Sequence, residues 1–264
     1  MIEFRSPQNE KLLNYIEGYY YLSAKDEKLP HYLTFPNNYT IVTFIKNGSV
    51  QIKDEIIHIT KSEGNSLLSV ITQYKRPLEI RYLAPVEEIT LYLKPGALAC
   101  LFPEVIKNSQ TKTIFDCDNH LLKKEFNKIS DNQGGKDINI EIEKFLANRI
   151  CSEIDRLLVD LIKRLNSNQT ISEISFELNL SRQYISNYFK DGIGKSPTEF
   201  RTISRFRNAI KSHVADETLT KLTYENSFFD QAHFNKYFKL LTSYKPKDFF
   251  KQTQGNNKVV WLII

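Results

Sequence analysis

The feature that most constrains the fold is a segment of about twenty residues that occurs twice on one plan, with its copies about 49 residues apart. The first copy covers residues 171–190 and the second covers residues 219–239. Each predicts a short apolar-periodic helix, a tight turn, an N-cap residue (Ser181 or Asp230) and a second amphipathic helix. This is the helix-turn-helix arrangement, in which the second helix enters the major groove of DNA.

The second helix of each copy has an apolar and a polar side. At about 100° per residue, the apolar sides carry Tyr184, Ile185, Tyr188 and Phe189 in the first copy and Phe234, Tyr237, Phe238 and Leu241 in the second. The predicted DNA-contacting residues on the polar sides are Arg182, Gln183, Ser186, Asn187 and Lys190, and then Gln231, Ala232, Asn235, Lys236 and Lys239. These side chains can recognise base edges or phosphates, and none is a carboxylate. Two ordinary amphipathic helices with solvated faces are the alternative, which the shared plan disfavours.

The stretch between the copies predicts a rigid connection. Pro197 suits the start of a helix over residues 198–214, which would be about 24 Å long at ~1.5 Å per residue. A strut of this length can hold two recognition helices in successive major grooves, about 34 Å apart. The strut carries Arg201, Arg205 and Arg207. Arg205 is equally consistent with a structural ion pair and with a contact to a DNA phosphate.

Length, charge and cysteine content narrow the class of protein. A chain of 264 residues is long enough for about two domains. The net charge of +5 arises entirely after residue 150, which supports a nucleic-acid partner only modestly. Cys100, Cys117 and Cys151 fit neither a disulfide framework nor a zinc site, so we expect small buried hydrophobic residues in a reduced, cytoplasmic protein. Neither a signal peptide nor an apolar run of the ~20 residues that a membrane helix needs is apparent.

The first 115 residues predict β-structure. Runs rich in Ile, Val, Thr and Tyr are separated by turn signals, among which Asn47-Gly48 predicts a hairpin. The expected strands are Tyr39–Lys46, Ser49–Ile59, Ser66–Ile71, Leu78–Leu83 and Glu88–Leu93, with a helix near Asn9–Tyr20 ahead of them. Short strands at this spacing are typical of a sandwich or small barrel.

Helical periodicity takes over after Asp116, and this change gives the predicted domain boundaries. We expect a β-rich domain over residues 1–117, a helical linker and dimerisation region over 118–151, a helix-turn-helix domain over 152–253 and a tail over 254–264. The predicted fold class is α+β multidomain: a β-rich barrel or sandwich with flanking helices, then an all-α double helix-turn-helix domain. The apolar tail is too short to span a membrane, and we expect it to pack on the body of the protein or on a neighbouring chain.

Motifs around the two copies resemble those of one family of regulators. Residues 194–200 and 224–234, followed by Phe238-Lys239 and Pro246, are similar to the signature of AraC/XylS-family transcription regulators, and the match extends over roughly residues 155–251. The resemblance implies that the base-reading residues are Gln183, Ser186 and Asn187 in the first unit and Ala232 and Lys236 in the second. The sequence departs from the family pattern at Ser175 and Thr223, where Ala is usual, and at Ser227 and Ser243, where Gly is usual. If Ser227 adopts a left-handed backbone, it costs about 1 kcal/mol relative to Gly.

A shorter resemblance concerns the N-terminal region. Residues 91–97 and the following Leu101-Phe102 look like the end of the cupin-like sensor domain that precedes some AraC-type domains. This resemblance implies a small-molecule effector, a homodimer formed through the helices of residues 119–150, and altered recruitment of RNA polymerase to a double-stranded DNA operator, most often as an activator. The candidate effector-binding residues are Tyr19, Tyr21, Tyr32, Tyr74, Arg81 and Tyr92. Tyrosine in a β-rich domain is more often core packing.

Two other interpretations stay open. In the first, the protein binds DNA constitutively and its N-terminal domain only dimerises. In the second, a metal-dependent cupin enzyme is fused to DNA-binding helices, which is disfavoured because the five histidines are dispersed and no His-x-His pair occurs. The sequence also lacks a Gly-x-Ser-x-Gly elbow, so we expect no catalytic residue, no metal ion and no cofactor.

Overall fold

The computed structural model describes residues 2–23, 29–54, 56–106, 114–131, 137–213, 218–253 and 261–263, which form a β-rich region followed by a helical one. The strands are β1 (Ile16–Ser23), β2 (His31–Thr34), β3 (Thr40–Lys53), β4 (Ile56–Ile71), β5 (Leu78–Tyr82), β6 (Glu87–Leu93), β7 (Ile114–Asp116) and β8 (Trp261–Ile263). The helices are α1 (Ala97–Leu101), α2 (Pro103–Ile106), α3 (His120–Asp131), α4 (Ile138–Arg149), α5 (Arg156–Asn166), α6 (Ile171–Leu178), α7 (Arg182–Ile193), α8 (Pro197–Ser212), α9 (Leu219–Glu225), α10 (Gln231–Thr242) and α11 (Pro246–Gln252). This arrangement confirms the predicted α+β class. None of the described helices is long and apolar enough to cross a membrane.

The described strands belong to one curled sheet. Their order is β1-β6-β3-β4-β5-β2-β8, with β7 paired to β4 beside this path, and only β4 and β5 run parallel. The phenol oxygens of Tyr20 on β1 and Tyr32 on β2 lie 3.2 Å apart, although these strands stand near opposite ends of the sheet. Residues from both ends therefore enclose one apolar cluster, here called the concave cluster, which includes Ile41, Ile59 and Tyr82. The sheet is an open, barrel-like roll, because β1 and β8, which end the path of described strands, do not pair with each other.

The prediction of a hairpin turn at Asn47-Gly48 is wrong. Strand β3 continues through these residues to Lys53, and the pairing with β4 shifts register between Lys46 and Gly48. Asn47 has a φ of 51°, and its Oδ1 atom accepts a hydrogen bond of 3.1 Å from the backbone N–H of Gly64. A residue with positive φ suits a β-bulge as well as a hairpin turn, and here it produces a bulge within one long hairpin.

The helix predicted near Asn9–Tyr20 is also wrong. Only Glu10–Leu12 forms a short 3₁₀ turn, and β1 begins at Ile16. Strand β1 pairs with β6 from Ile16 to Ser23, and this cross-strand pairing overrides the local preference. Strands β1 and β2 were not among the predicted strands.

Helices α3 and α4 pack on the opposite, convex face of the sheet. Phe126 of α3 stacks on Phe44 of β3 with ring centroids 5.1 Å apart. Buried Glu143 of α4 ties this layer to the start of the chain, because its carboxylate accepts a hydrogen bond of 2.8 Å from the Tyr19 hydroxyl and others from the backbone N–H groups of Gln8 and Asn9. These hydrogen bonds attach the helical layer to the β-rich region.

The three cysteines do not share one environment. Cys100 and Cys117 are buried, as expected, whereas Cys151 is exposed, so the expectation of a buried residue is wrong there. Cys151 lies in the connection between α4 and α5, and connections run over the protein surface. Its Sγ atom is 3.1 Å from the carbonyl oxygen of Cys100.

The C-terminal helices build two apolar clusters, one for each helix-turn-helix unit. The first contains Leu161, Ile174 and Phe189 from α5, α6 and α7. The second contains aromatic residues of α8, α10 and α11. Helix α8 contributes Phe200 to the first cluster and Phe206 to the second, so it joins the two units as the predicted strut.

Candidate nucleic-acid interface

The first unit consists of α6, a turn and α7. A capping box at Thr170 and Glu173 fixes the start of α6, and Asn179 ends it with a φ of 51°. The Oγ atom of Ser181 then accepts a hydrogen bond of 3.1 Å from the backbone N–H of Tyr184. The predicted N-cap at Ser181 is confirmed, and α7 begins with the next residue.

Helix α7 presents its predicted polar side to the surface. Ile185 and Phe189 are buried beneath the helix. Ser186 is half-buried, whereas the exposed members of the predicted set are Arg182, Gln183, Asn187 and Lys190. The Nε2 atom of Gln183 donates a hydrogen bond of 3.2 Å to Oδ1 of Asn187. The two amides, one helical turn apart, thus form a polar patch of the chemistry that recognises adenine.

Tyr184 does not face the core, which corrects its predicted placement. Its side chain is 48 % exposed, and Tyr188 one turn later is half-buried. Ile185 and Phe189 already occupy the space between α7 and its neighbours. Residues at the edge of a helical apolar stripe remain at the surface when the centre of the stripe fills the core.

The second unit repeats this construction with α9 and α10. Ser227 stands in the turn with a φ of 58°, and Oδ1 of Asp230 accepts a hydrogen bond of 2.6 Å from the backbone N–H of His233. The predicted N-cap at Asp230 is therefore confirmed. Phe234 and Phe238 are buried. The predicted DNA-contacting residues are all exposed on the outer side, namely Gln231, Ala232, Asn235, Lys236 and Lys239.

The departures from the family pattern have separate structural consequences. The Ser175 hydroxyl donates a hydrogen bond to the carbonyl oxygen of Leu180, and the Thr223 hydroxyl donates one of 2.6 Å to that of Leu219. Both hydroxyls are therefore satisfied. Ser227 and Ser243 have φ values of 58° and 66°, in the left-handed region. The prediction for Ser227 is thus confirmed, and each serine carries a cost of about 1 kcal/mol relative to glycine.

The strut α8 also fixes the loop ahead of the first unit. Its Arg201 donates to the carbonyl oxygen of Gln169, and Arg205 donates a hydrogen bond of 3.1 Å to Oδ1 of Asn168. The Nδ2 atom of Asn168 in turn donates one of 3.2 Å to the Ser227 hydroxyl of the second unit. This chain of contacts connects the two units directly, and a contact of Arg205 with a DNA phosphate stays a prediction.

The helical region docks on the β-rich region at the joint between α7 and α8. Lys195 is 2 % exposed, and its Nζ atom donates a hydrogen bond to the carbonyl oxygen of Thr72. Asn38 donates from Nδ2 to the carbonyl oxygen of Phe200 at 3.0 Å. Phe35, which follows β2, is fully buried against Phe249 of α11 with ring centroids 5.2 Å apart. The two regions therefore share a continuous interface.

The third strut arginine belongs to the same interface. Arg207 is half-buried, and burial lowers the pKa of its guanidinium, while nearby Tyr74, Tyr39 and Tyr92 of the β-rich region oppose this shift. Neither Arg207 nor Phe35 carried a sequence signal for such a role. Lys195 lies in the motif of residues 194–200, but the motif gave no sign that the side chain is buried.

The six candidate effector-binding residues do not form one site. Successive residues on a strand face opposite sides of a sheet, which separates Tyr19 and Tyr21 from the concave cluster and turns Arg81 away from it. The candidates that do belong to the concave cluster are Tyr32, Tyr74 and Tyr92. The grouping of all six residues into a single pocket is therefore wrong.

A buried carboxylate lies beside the concave cluster and was missed from the sequence. Glu88 accepts hydrogen bonds from the hydroxyls of Tyr20 at 2.6 Å, Tyr82 at 2.5 Å and Thr90 at 2.7 Å. Burial raises the pKa of Glu88, and these three hydrogen bonds oppose that shift. The only available signal was the pair of acidic residues, Glu87 and Glu88, at the start of an otherwise largely apolar strand.

Comparison with known proteins identifies the helical region. Residues 174–252 match the family model described as a helix-turn-helix domain. No curated protein matches the chain.

Three solved structures resemble the chain at low identity. ToxT from Vibrio cholerae is 12 % identical, with a TM-score of 0.46 over 88 % of this chain and 96 % of that one. ToxT from the same organism with a bound unsaturated fatty acid is 13 % identical, with a TM-score of 0.46 over 88 % and 92 %. The C-terminal domain of AraT, a response regulator from Geobacillus stearothermophilus, is 18 % identical, with a TM-score of 0.35 over 38 % and 88 %. Given the family match and the two capped units on one plan, residues 174–252 are a helix-turn-helix DNA-binding domain.

Proposed function

We propose that this protein is a sequence-specific, DNA-binding transcription regulator that works in the cytoplasm as a homodimer and answers to a small-molecule effector. The observation that carries the DNA-binding part is the pair of recognition faces on α7 and α10. Each face presents amide or lysine side chains over a buried apolar side, and none of the ten predicted contact residues is a carboxylate. Such faces suit base edges and phosphates.

The connection between the units supports reading of two DNA boxes by one chain. Helix α8 packs into both apolar clusters, and Asn168 contacts Ser227 across the units. Two recognition helices held in one rigid body can enter successive major grooves, which recur about every 34 Å. We therefore expect an operator with two boxes about one helical turn apart.

Selection of bound duplexes from a random library by the full chain tests this function. The expected result is enrichment of one motif with two boxes, bound at least about 10³-fold more tightly than unselected DNA. The matched control is a variant with Gln183, Asn187, Asn235 and Lys236 all replaced by alanine, which should enrich nothing. Failure of the wild-type chain to enrich any motif would contradict the proposal.

A groove between the two regions supports control by an effector. It encloses about 170 Å³ and is lined by Tyr74 and Lys75 of the β-rich region, Lys195 of the joint, Ile203 of α8 and Leu241 of α10. Its exposed wall is largely apolar, and its charged lining residues are Lys75, buried Lys195 and one carboxylate, Glu199, so positive charge is in excess. A small molecule with an apolar body and an anionic group fits this chemistry and would contact both regions at once.

Thermal-shift screening with metabolites tests the effector part. A ligand that binds the folded protein raises its melting temperature, and a true effector should also change affinity for the selected DNA. The Lys195→Met variant should lose the response to an anionic ligand. A protein whose DNA affinity no compound alters would instead be a constitutive regulator.

Exposed apolar residues on α3 and α4 support the dimer. Leu121 is 75 % exposed and Ile140 is 52 % exposed, on adjacent helices outside the sheet. We propose that a second copy of the chain covers these residues. Light scattering should report a dimer for the wild type and a monomer for Leu121→Glu with Ile140→Glu, and a monomeric wild type would contradict this part.

Transcription with purified RNA polymerase on the selected operator should depend on the protein.

A further inference from the structure

Tyr184 is placed at the surface of the recognition helix, next to the predicted base-reading residues. It stands in the first turn of α7 and precedes Asn187 by three residues, so the two side chains are neighbours on the helix surface. At about 100° per residue, Tyr184 lies about 60° from Asn187, at the border between the polar side and the buried side. Almost half of its side chain is exposed.

A fixed arrangement holds this tyrosine in place. Its ring stacks on that of Tyr188, with centroids 5.7 Å apart and planes 21° apart. The Tyr188 hydroxyl donates a hydrogen bond of 2.6 Å to Oδ1 of Asp155. The same carboxylate oxygen accepts a hydrogen bond of 2.9 Å from the backbone N–H of Leu158 and so caps α5. Because Asp155 is held by the helix that it caps, the stacked rings have a rigid support.

The charge on Asp155 strengthens this support. The hydrogen bond from Tyr188 lowers the pKa of Asp155, with a further contribution from the backbone N–H of Leu158. Burial and the neighbouring carboxylate raise the pKa of Tyr188 to about 12. At neutral pH the pair is therefore a phenol that donates to a carboxylate, which is a strong, charge-assisted hydrogen bond.

We propose that the Tyr184 hydroxyl donates a hydrogen bond to a backbone phosphate of the bound DNA, and that Tyr188 and Asp155 position it. Phosphates border the major groove, so a residue at the border of the recognition face reaches them while the centre of the face reaches bases. Tyrosine hydroxyls are among the donors that proteins use for phosphates. This inference rests on the proposed function and adds a contact that fixes how deeply α7 enters the groove.

A double-mutant cycle between protein and DNA tests the contact. The probe is the duplex selected by the full wild-type chain, with single phosphates replaced in turn by neutral methylphosphonates. Tyr184→Phe keeps the ring and the stack but removes the donor, and should weaken binding to unmodified DNA roughly tenfold, as expected for a hydrogen bond to a charged group. At one modified phosphate, the wild type and Tyr184→Phe should bind equally well. The proposal would be overturned if the loss of affinity from Tyr184→Phe adds to the loss from the modified phosphate at every position. It would also be overturned if Tyr184→Phe binds unmodified DNA as tightly as the wild type does.

The positioning residues have their own readout. Tyr188→Phe keeps the stack but frees it from Asp155, so it should weaken binding less than Tyr184→Phe, and its loss should vanish at the same modified phosphate. Because the phenol is neutral, neither variant should change the salt dependence of binding, whereas Lys190→Ala should lower the slope by about 1. A uniform loss for Tyr188→Phe at all phosphates would show a merely structural role. Failure to select any DNA would overturn the proposed function itself, whereas selected DNA with no coupling to Tyr184 would overturn this contact alone.

Discussion

Lys195 and Thr72 join the DNA-binding domain to the β-rich region through a buried ammonium. The Nζ atom donates to the Thr72 carbonyl oxygen, and the side chain is almost wholly inaccessible to solvent. Burial lowers the pKa of Lys195 from 10.5 to about 8. At neutral pH, this lysine therefore carries an incompletely compensated charge, which opposes docking of the two regions.

Stability should depend on pH through this lysine. Between pH 8 and 10.5 the unfolded chain binds more protons at Lys195 than the folded chain, so this group makes the folded state more stable as pH rises. Below pH 8 the full penalty remains. The shift corresponds to at most roughly 3 kcal/mol. Lys195→Met removes the charge. The free energy of unfolding of this variant, relative to that of the wild type, should therefore fall by up to that amount from pH 7 to 10.5.

Denaturant unfolding at several pH values measures this difference. The exposed Lys163→Met variant controls for the loss of one positive charge. A stability difference between Lys195→Met and wild type that stays constant from pH 7 to 10.5 would show that Lys195 does not titrate as the structure requires.

Replacement of the left-handed serines by glycine should stabilise the protein. Ser227→Gly and Ser243→Gly should each raise the free energy of unfolding by about 1 kcal/mol, because glycine adopts a positive φ without a Cβ penalty. For a chain of this size, each change should raise the melting temperature by roughly 2–4 °C. Ser227→Ala is the matched control, since it removes the hydroxyl that contacts Asn168 and retains the Cβ atom. Equal stability of the glycine and alanine variants would contradict the strain.

The two asparagines of the recognition faces should determine base preference. Asn187→Ala and Asn235→Ala should each relax selectivity at one position of the operator by about 1–3 kcal/mol if the contact to the base is bidentate. Competition binding with single-base operator variants measures this effect. The positions affected should fall in different boxes, and unchanged selectivity in both variants would refute the assigned orientation of α7 and α10.

Two lysines should instead act on all sequences alike. Lys190→Ala and Lys239→Ala should weaken binding to specific and random DNA to a similar degree. They should also make the salt dependence shallower, because a variant with one phosphate contact fewer releases fewer counterions from the DNA when it binds. Lys61→Ala, on the β-rich region, is the control and should leave the salt slope unchanged. A selective loss on the operator alone would indicate base contacts.

Phe35 should stabilise the second helix-turn-helix unit, although it belongs to the β-rich region. It is fully buried against Phe249, so Phe35→Ala should cost about 3–5 kcal/mol through lost burial and the cavity that it leaves. Hydrogen exchange should show the loss in α10 and α11. Phe176→Ala, at a phenylalanine that is 88 % exposed, should change stability by less than about 0.5 kcal/mol. Equal effects at both sites would contradict the interface.

Local sequence signals predicted what depends on local structure. Ser181 and Asp230 cap their helices as expected, because an N-cap hydrogen bond spans only three residues. The recognition faces followed from helical period for the same reason. Asn47 shows the limit of this approach: a residue with positive φ suits either a turn or a bulge, and which of the two it makes depends on the partner strand.

Contacts between distant segments could not be predicted in this way. Lys195 meets Thr72, and Phe35 meets Phe249, across more than a hundred residues of sequence, and no pattern in one segment encodes the other. Tyr184 was misplaced because period alone cannot tell the centre of an apolar stripe from its edge. The scattered tyrosines of the β-rich region were grouped by residue type, whereas strand alternation divides them between two faces.

The spacing of the two DNA boxes tests the central claim most directly. Affinity of the full chain would be measured for the selected operator and for the same operator with about 5 base pairs inserted between its boxes, which is half a helical turn. Because α8 holds α7 and α10 in one body, the insertion turns one box to the opposite side of the duplex. The predicted result is a loss of at least roughly tenfold, about 1.4 kcal/mol. A full-turn insertion should also weaken binding, because it moves the second box one groove beyond the reach of the rigid pair. Equal affinity for the original and half-turn operators would contradict reading of successive major grooves by two rigidly linked helices.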